Sequence, residues 1–230
     1  MRLIVLWDID HTLIDNAGVS KEIYAAAFSA LVGGQPAGPA RTEGRTDRLI
    51  MRELFLRHGL PEPEWRVVEA ALVRAGEERL RDLRLRGTAL PGVRDALKAT
   101  SAHEGWVSSI LTGNIAANAR VKLSAFGLDP FLDLPVGAYG ADAEQRADLV
   151  TVARERAQRL RGVRADVPAV LVGDTPRDVE AARATGSGIV AVASGIHSPG
   201  ELRAAGASVV LPDLSDAAGL LGILETFAAR

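Results

Sequence analysis

The chain has 230 residues and no cysteine, which excludes disulfides, thiolate metal sites and a cysteine nucleophile. Lysine is nearly missing as well: only Lys21, Lys98 and Lys122 are present, and the remaining basic residues are arginines. An arginine here is therefore background unless its position argues otherwise. Charge of either sign is not in excess, with 27 basic and 29 acidic residues giving a net charge of −2. That balance argues against a nucleic-acid partner or an anionic membrane surface, so an anionic ligand must be held by a local site. No apolar run approaches the ~18 residues needed to cross a bilayer. The first run, Leu3–Trp7, is too short for a secretory leader and is ended by Asp8, so the expected location is the cytoplasm. Hydrophobic residues at 47% and charged residues at 24% are ordinary for a globular protein. The length suits one large domain, or a core with a smaller domain inserted in it.

Five short apolar runs read as buried strands: Leu3–Trp7, Trp106–Leu111, Ala169–Val172, Ile189–Ala193 and Ser208–Leu211, with a weaker candidate at Leu134–Tyr139. Continuous apolar runs without strict alternation suit a parallel sheet covered on both faces. Helical spacing occupies the intervals, at Val93–Leu97, Ala117–Phe126, Ala147–Leu160 and Val179–Thr185. The alternation predicts a doubly wound, Rossmann-like α/β core. Residues 16–86 break the pattern. They show three helical patterns, around Ile23–Leu31, Leu49–Phe55 and Trp65–Ala75, and no convincing strand. The expected organisation is a core of residues 1–15 and 87–230 with a helical module, 16–86, lying as a lid over the C-terminal end of the first strand.

Three strand ends carry chemistry. Asp8-Ile9-Asp10-His11-Thr12 follows the first run, and extended alternation puts Asp8 and Asp10 on one side. Active sites of open parallel sheets form outside the C-terminal strand ends. Two carboxylates there repel unless a cation lies between them, and hard oxygen ligands suit Mg²⁺. Thr112-Gly113-Asn114 follows the run Trp106–Leu111 and offers a hydroxyl and backbone N–H donors to an anion. Gly173-Asp174-Thr175-Pro176-Arg177-Asp178 follows Ala169–Val172, with Asp174 at the strand end and Asp178 in the first turn of a helix. Carboxylates for a divalent cation together with donors for an anion point to a phosphoryl ligand.

The order and spacing of these residues resemble the haloacid dehalogenase superfamily, whose phosphatases show D-x-D-x-T, then Ser/Thr, then Lys, then an acidic G-D-x-x-x-D. Gly44-Arg45-Thr46-Asp47, Leu90-Pro91-Gly92-Val93 and Ser194-Gly195-Ile196-His197-Ser198 look like its phosphoglycolate phosphatase branch, with a helical cap. The resemblance implies a Mg²⁺-dependent phosphatase acting on a small phosphorylated metabolite. In it Asp8 is the nucleophile, forming an aspartyl-phosphate, and Asp10 the general acid and base. Thr112 and Gly113 bind the phosphoryl group, and Mg²⁺ is held by Asp8, the Asp10 backbone carbonyl, Asp174 and Asp178. A β-phosphoglucomutase-like mutase would share nucleophile and metal. A dehalogenase is disfavoured by the second Asp of D-x-D, and a receiver-type signalling module by length and by the helical insert.

The chain departs from the family pattern twice. The usual lysine, often in a Gly-Lys-Pro context, is replaced by Glu144-Gln145-Arg146-Ala147-Asp148, and Arg146 is assigned its role of balancing the nucleophile and the phosphoryl charge. Lys122 is the alternative, read from its helical pattern as a solvated-face residue. His11 stands where glycine is usual, as a tolerated loop residue or as a side chain narrowing the leaving-group pocket. Arg45 is the cap residue expected to hold the far end of a substrate. No oligomeric state follows from the sequence.

Overall fold

The computed structural model describes residues 2–229. Its strands, in chain order, are β1 (Leu3–Trp7), β2 (Ile14–Asp15), β3 (Thr88–Ala89), β4 (Trp106–Ile110), β5 (Ala169–Gly173), β6 (Gly188–Val192) and β7 (Val210–Leu211). Five of them form a parallel sheet in the order β4-β1-β5-β6-β7. β1, β4 and β5 are buried along their whole length, which is why their sequences are unbroken apolar or small-residue runs.

Alternate residues of β1 feed opposite layers. Leu3, Val5 and Trp7 pack with Val93 and Leu97 of α5 (Val93–Ala102) and with Leu220 and Leu224 of α10 (Ala217–Ala228). Ile4 and Leu6 pack with Leu149, Val150 and Ala153 of α7 (Arg146–Arg161), Val179 of α8 (Pro176–Ala184) and Leu202 of α9 (Pro199–Ala205). The chain leaves β1 to β4 on one side and returns to β5 on the other, so the order reverses at β1. Such a switch point opens a crevice outside the strand ends. Trp7 is in register with Ile110 and Val172, which brings the segments after β1, β4 and β5 side by side.

Residues between β2 and β3 are helical: α1 (Val19–Val32), α2 (Asp47–Arg57), α3 (Trp65–Glu78) and α4 (Leu80–Arg86). β2 and β3 pair antiparallel and tie the two ends of this segment together. It has an apolar cluster of its own, with Phe28, Leu54, Phe55, Val68 and Leu72 buried; each such side chain contributes about 1.5–3 kcal/mol when fully buried. Four helices form where three patterns were expected. The extra one, α4, follows α3 after the single residue Arg79 and buries only Leu83, too little for a period to register. Two cap helices, α3 and α4, pack on α6 (Ala116–Ala125) of the core.

The weak strand candidate at Leu134–Tyr139 is a correction. Residues 134–136 form a 3-10 turn, and only Ala138 makes a bridge, to Leu111. Pro135 has no N–H, and those of Val136 and Gly137 donate to the Asp133 and Leu134 carbonyls, so no donor before Ala138 is left for a ladder. Among the described residues no helix is long and apolar enough to cross a membrane.

Candidate active site

Asp8 emerges from β1 buried, and its Oδ1 lies 2.9 Å from the Arg146 guanidinium, which is also 2.6 Å from Asp178 Oδ1. Arg146 reaches this point because it opens α7, directly beside the strand ends. Asp178 belongs to the first turn of α8, where Thr175 caps the helix and the Asp178 carboxylate accepts from the Thr175 N–H and hydroxyl. Asp174 ends β5 and accepts from the Thr12 hydroxyl at 3.2 Å. One carboxylate oxygen from each of Asp8, Asp174 and Asp178 lies within 4.8 Å of the others. Burial, together with Asp8 and Asp178 close by, pushes the Asp174 carboxyl well above the usual carboxylate range. Burial pushes Asp8 up to about 6, with Arg146 opposing and Asp178 and Asp10 adding to the rise. Once all three carboxylates ionise, one guanidinium leaves two negative charges uncompensated. An all-oxygen, doubly negative, buried cluster suits Mg²⁺.

Asp10 is held differently. Its carboxylate accepts from Lys122 Nζ at 2.8 and 2.6 Å, from Asn114 Nδ2 at 2.8 Å, from Asn16 Nδ2 at 2.7 Å and from Ser20 Oγ at 3.2 Å. Burial alone would raise its pKa, but the Lys122 charge and these hydrogen bonds outweigh it and hold Asp10 at about 2. Lys122 is therefore not a solvated-face lysine: it is 1% exposed. The helical spacing of α6 hides this, because α3 and α4 cover the side of α6 that would otherwise meet water. Thr112 and Asn114, after β4, are buried beside this network, so the two basic candidates face different carboxylates: Arg146 meets Asp8 and Asp178, Lys122 meets Asp10.

The helical segment between β2 and β3, the expected cap, contributes the loop before α2. The Asp47 N–H donates to the Gly113 carbonyl at 2.7 Å, and its carboxylate accepts from Ile115 N–H at 2.8 Å and Tyr24 Oη–H at 2.6 Å. Burial pushes Asp47 up to about 6, against the pull of those two donors. Thr46 Oγ1 donates to the Glu144 carbonyl, and Arg52 forms a two-pronged ion pair with the Glu144 carboxylate. Together these seat the cap on the strand ends and enclose a cavity of about 90 Å³ lined by Asp8, Asp10, Thr112, Arg146 and Asp174 from the core and Arg45 from the cap. That is room for a phosphoryl group and a few further atoms. His11 lines the cavity with φ at +62°, in the left-handed region where glycine is favoured. Arg45 also lines it, with its guanidinium engaged by Glu53 of α2. His58 and His103 close α2 and α5 as C-caps, away from the cavity.

Gly113 is required by this docking, since a Cβ there would overlap the Arg45 carbonyl oxygen. Gly113→Ala should therefore push the cap loop off the core. The expected result is a KM raised by roughly 10-fold or more, about 1.4 kcal/mol of binding, with the melting temperature of the core little changed; an unchanged KM would show that the cap does not close on the ligand in this way. Asn16, Ser20, Tyr24 and the Asp47 carboxylate carry no signal along the chain that points to this network. The first three lie in an ordinary turn and first helix, where their polarity has a local explanation. Asp47 stands in the Gly44–Asp47 segment that already marked the cap.

Residues 5–183 match the family model of the haloacid dehalogenase-like hydrolases. The Dickeya dadantii (strain 3937) protein named "Probable phosphatase IndB" is 29% identical over 224 residues, covering 95% of this chain and 93% of that protein. A hydrolase structure from Pseudomonas syringae superposes with a TM-score of 0.71 at 23% identity, covering 97% of this chain and 99% of the other. A structure from Haemophilus somnus 129pt described as "a predicted phosphoglycolate phosphatase" gives 0.68 at 16% identity, covering 96% and 98%. With its parallel sheet reversing at β1 and its acidic strand ends in the matched segment, the chain belongs to the haloacid dehalogenase-like hydrolases.

Proposed function

We propose that this chain is a Mg²⁺-dependent phosphatase of small phosphomonoesters, working through an aspartyl-phosphate on Asp8 under a cap formed by residues 16–86. The observation that carries the reading is the meeting of Asp8, Thr112, Asp174 and Arg146 around one cavity beside three adjacent strand ends, with Asp178 behind them in contact with Arg146. Asp8 attacks phosphorus, and Arg146 offsets the charge of nucleophile and phosphoryl group together. The Thr112 hydroxyl and the Gly113 N–H, which donates to no protein group among the described residues, supply hydrogen bonds to phosphoryl oxygens. Asp10 protonates the leaving oxygen and then takes a proton from the water that cleaves the acyl-phosphate.

Asp8, Asp174 and Asp178, with the Asp10 backbone carbonyl, would hold Mg²⁺, which neutralises the carboxylates and the charge of the transferring group. The protein groups alone make Asp10 the stronger acid of the pair, at about 2 against about 6 for Asp8, the reverse of what the two roles ask. A cation beside Asp8 and a phosphoryl dianion beside Asp10 both act against that order.

Small esters of the phosphoglycolate class are expected over nucleotides, with Arg45 at the cavity to meet the non-reacting end. A panel of 2-phosphoglycolate, hexose phosphates and nucleotides with Mg²⁺ tests this, with kcat/KM at least 10-fold higher for the small esters expected; no hydrolysis of any ester would discard the reading. Arg146→Ala should lower kcat by about 10²-fold or more on the best of them, the scale of losing one charge-stabilising group. A near-normal rate would remove Arg146 from the site.

A further inference from the structure

The hydrogen bonds around Asn114 fix something that its position alone does not. Lys122 has three N–H donors and no acceptor, and Nζ spends them on Asp10 Oδ1, Asp10 Oδ2 and Asn114 Oδ1, the last at 2.6 Å. The Asn114 atom facing Lys122 must therefore be its carbonyl oxygen, which settles the orientation of the amide and turns Nδ2 the other way. Nδ2 then donates to Thr112 Oγ1 and to Asp10 Oδ2, both at 2.8 Å. The Asn114 backbone N–H also donates to Thr112 Oγ1, at 3.3 Å. With both acceptor lone pairs of Oγ1 filled, the Thr112 hydroxyl can act outward only as a donor. Thr112 is 0% exposed, lines the cavity, and its O–H donates to no protein group among the described residues.

We propose that Lys122 and Asn114 are positioning residues of this site: Lys122 sets the Asn114 amide, and Asn114 aims the Thr112 O–H at a phosphoryl oxygen while fixing the Asp10 carboxylate. Lys122 is then not a substitute for Arg146. The arginine serves the nucleophile; the lysine serves the donor through the Asn114 amide and holds the acid directly. The inference rests on the phosphatase reading for its ligand, and the chemical class that it recognises is a tetrahedral oxyanion presenting an acceptor to Thr112.

A double-mutant cycle on Thr112→Val and Asn114→Leu tests the relay, with thermal melts to confirm folding. Each single variant should lower kcat on the best phosphomonoester by about 10²-fold, the scale of one lost transition-state donor. The double variant should be little worse than the poorer single, because Asn114 works through Thr112. Lys122→Met, which also removes the direct pair with Asp10, should lose at least as much as Asn114→Leu; should it not fold, the Thr112–Asn114 cycle decides by itself. Effects that multiply to about 10⁴-fold, or an Asn114→Leu variant with a near-normal rate, would overturn the proposal. Binding of inorganic phosphate in the presence of Mg²⁺ separates this inference from the phosphatase reading, since it needs no turnover. If the wild type hydrolyses no ester yet binds phosphate, and both single variants weaken that binding alike, the reading fails and the relay stands; phosphate binding unaffected by Asn114→Leu sinks the relay.

Discussion

Replacing Asp8 by Asn should abolish turnover, lowering kcat on the preferred ester by at least about 10⁴-fold, because an amide cannot form the covalent intermediate. The substitution is nearly isosteric, so the fold should persist. Burial raises the folded pKa of Asp8 to about 6, above its value of 3.8 in the open chain, so the folded state binds this proton more tightly. The stabilisation is present below pH 3.8 and is lost as pH rises towards 6. At pH 7 the wild type therefore holds an ionised Asp8 at some cost. Asp8→Asn removes that cost and leaves Arg146 its bond to Asp178, so in chelator at pH 7 its melting temperature should be no lower than that of the wild type. Loss of activity with clear loss of stability would mean that Asp8 is mainly structural. Retained activity would exclude the covalent route.

The second large effect concerns the cation. Chelation should reduce activity to below about 1% of the full rate, a loss of at least about 10²-fold on the scale of metal catalysis, and excess Mg²⁺ should restore it. The same cluster predicts a readout that needs no substrate. Asp8, Asp174 and Asp178 crowd their charges in a buried site, so a cation that binds the folded chain should stabilise it, by about 2.7 kcal/mol at a hundredfold excess over Kd. For a chain of this length that corresponds to a rise in melting temperature of roughly 5–10 °C. Asp174→Asn should remove most of that rise and demand far more Mg²⁺ for turnover. A melting temperature indifferent to Mg²⁺ in the wild type would contradict the assignment of the cluster as a metal site, whatever the activity.

Both experiments rest on residues that could be picked out along the chain. β1 and β5 are unbroken apolar runs ended by Asp8 and Gly173-Asp174, and a run that must be buried on both faces leaves its first polar residue at the sheet edge. Leu134–Tyr139 is a turn instead, because Pro135 lacks an N–H and those of Val136 and Gly137 close local bonds, which the apolar composition does not reveal. α4 was missed because seven residues with one buried leucine carry too little periodicity.

Lys122 marks the boundary between the two kinds of information. Its neighbours along α6 determine that it lies on a helix, and nothing local says that another part of the chain covers that helix. Burying its ammonium requires acceptors at the moment of packing, and these come from Asp10, 112 residues earlier, and from Asn114. Arg146 stands out along the chain by its place before a helix, but its partners, Asp8 and Asp178, become neighbours only when β1 and β5 pair. The parallel core and the helices between β2 and β3 are legible along the chain, because burial on two faces and helical period are written in consecutive residues. Tertiary structure alone decided which cation serves which carboxylate and which way the Asn114 amide points, because a buried charge takes its partners from whatever the fold brings within hydrogen-bond reach.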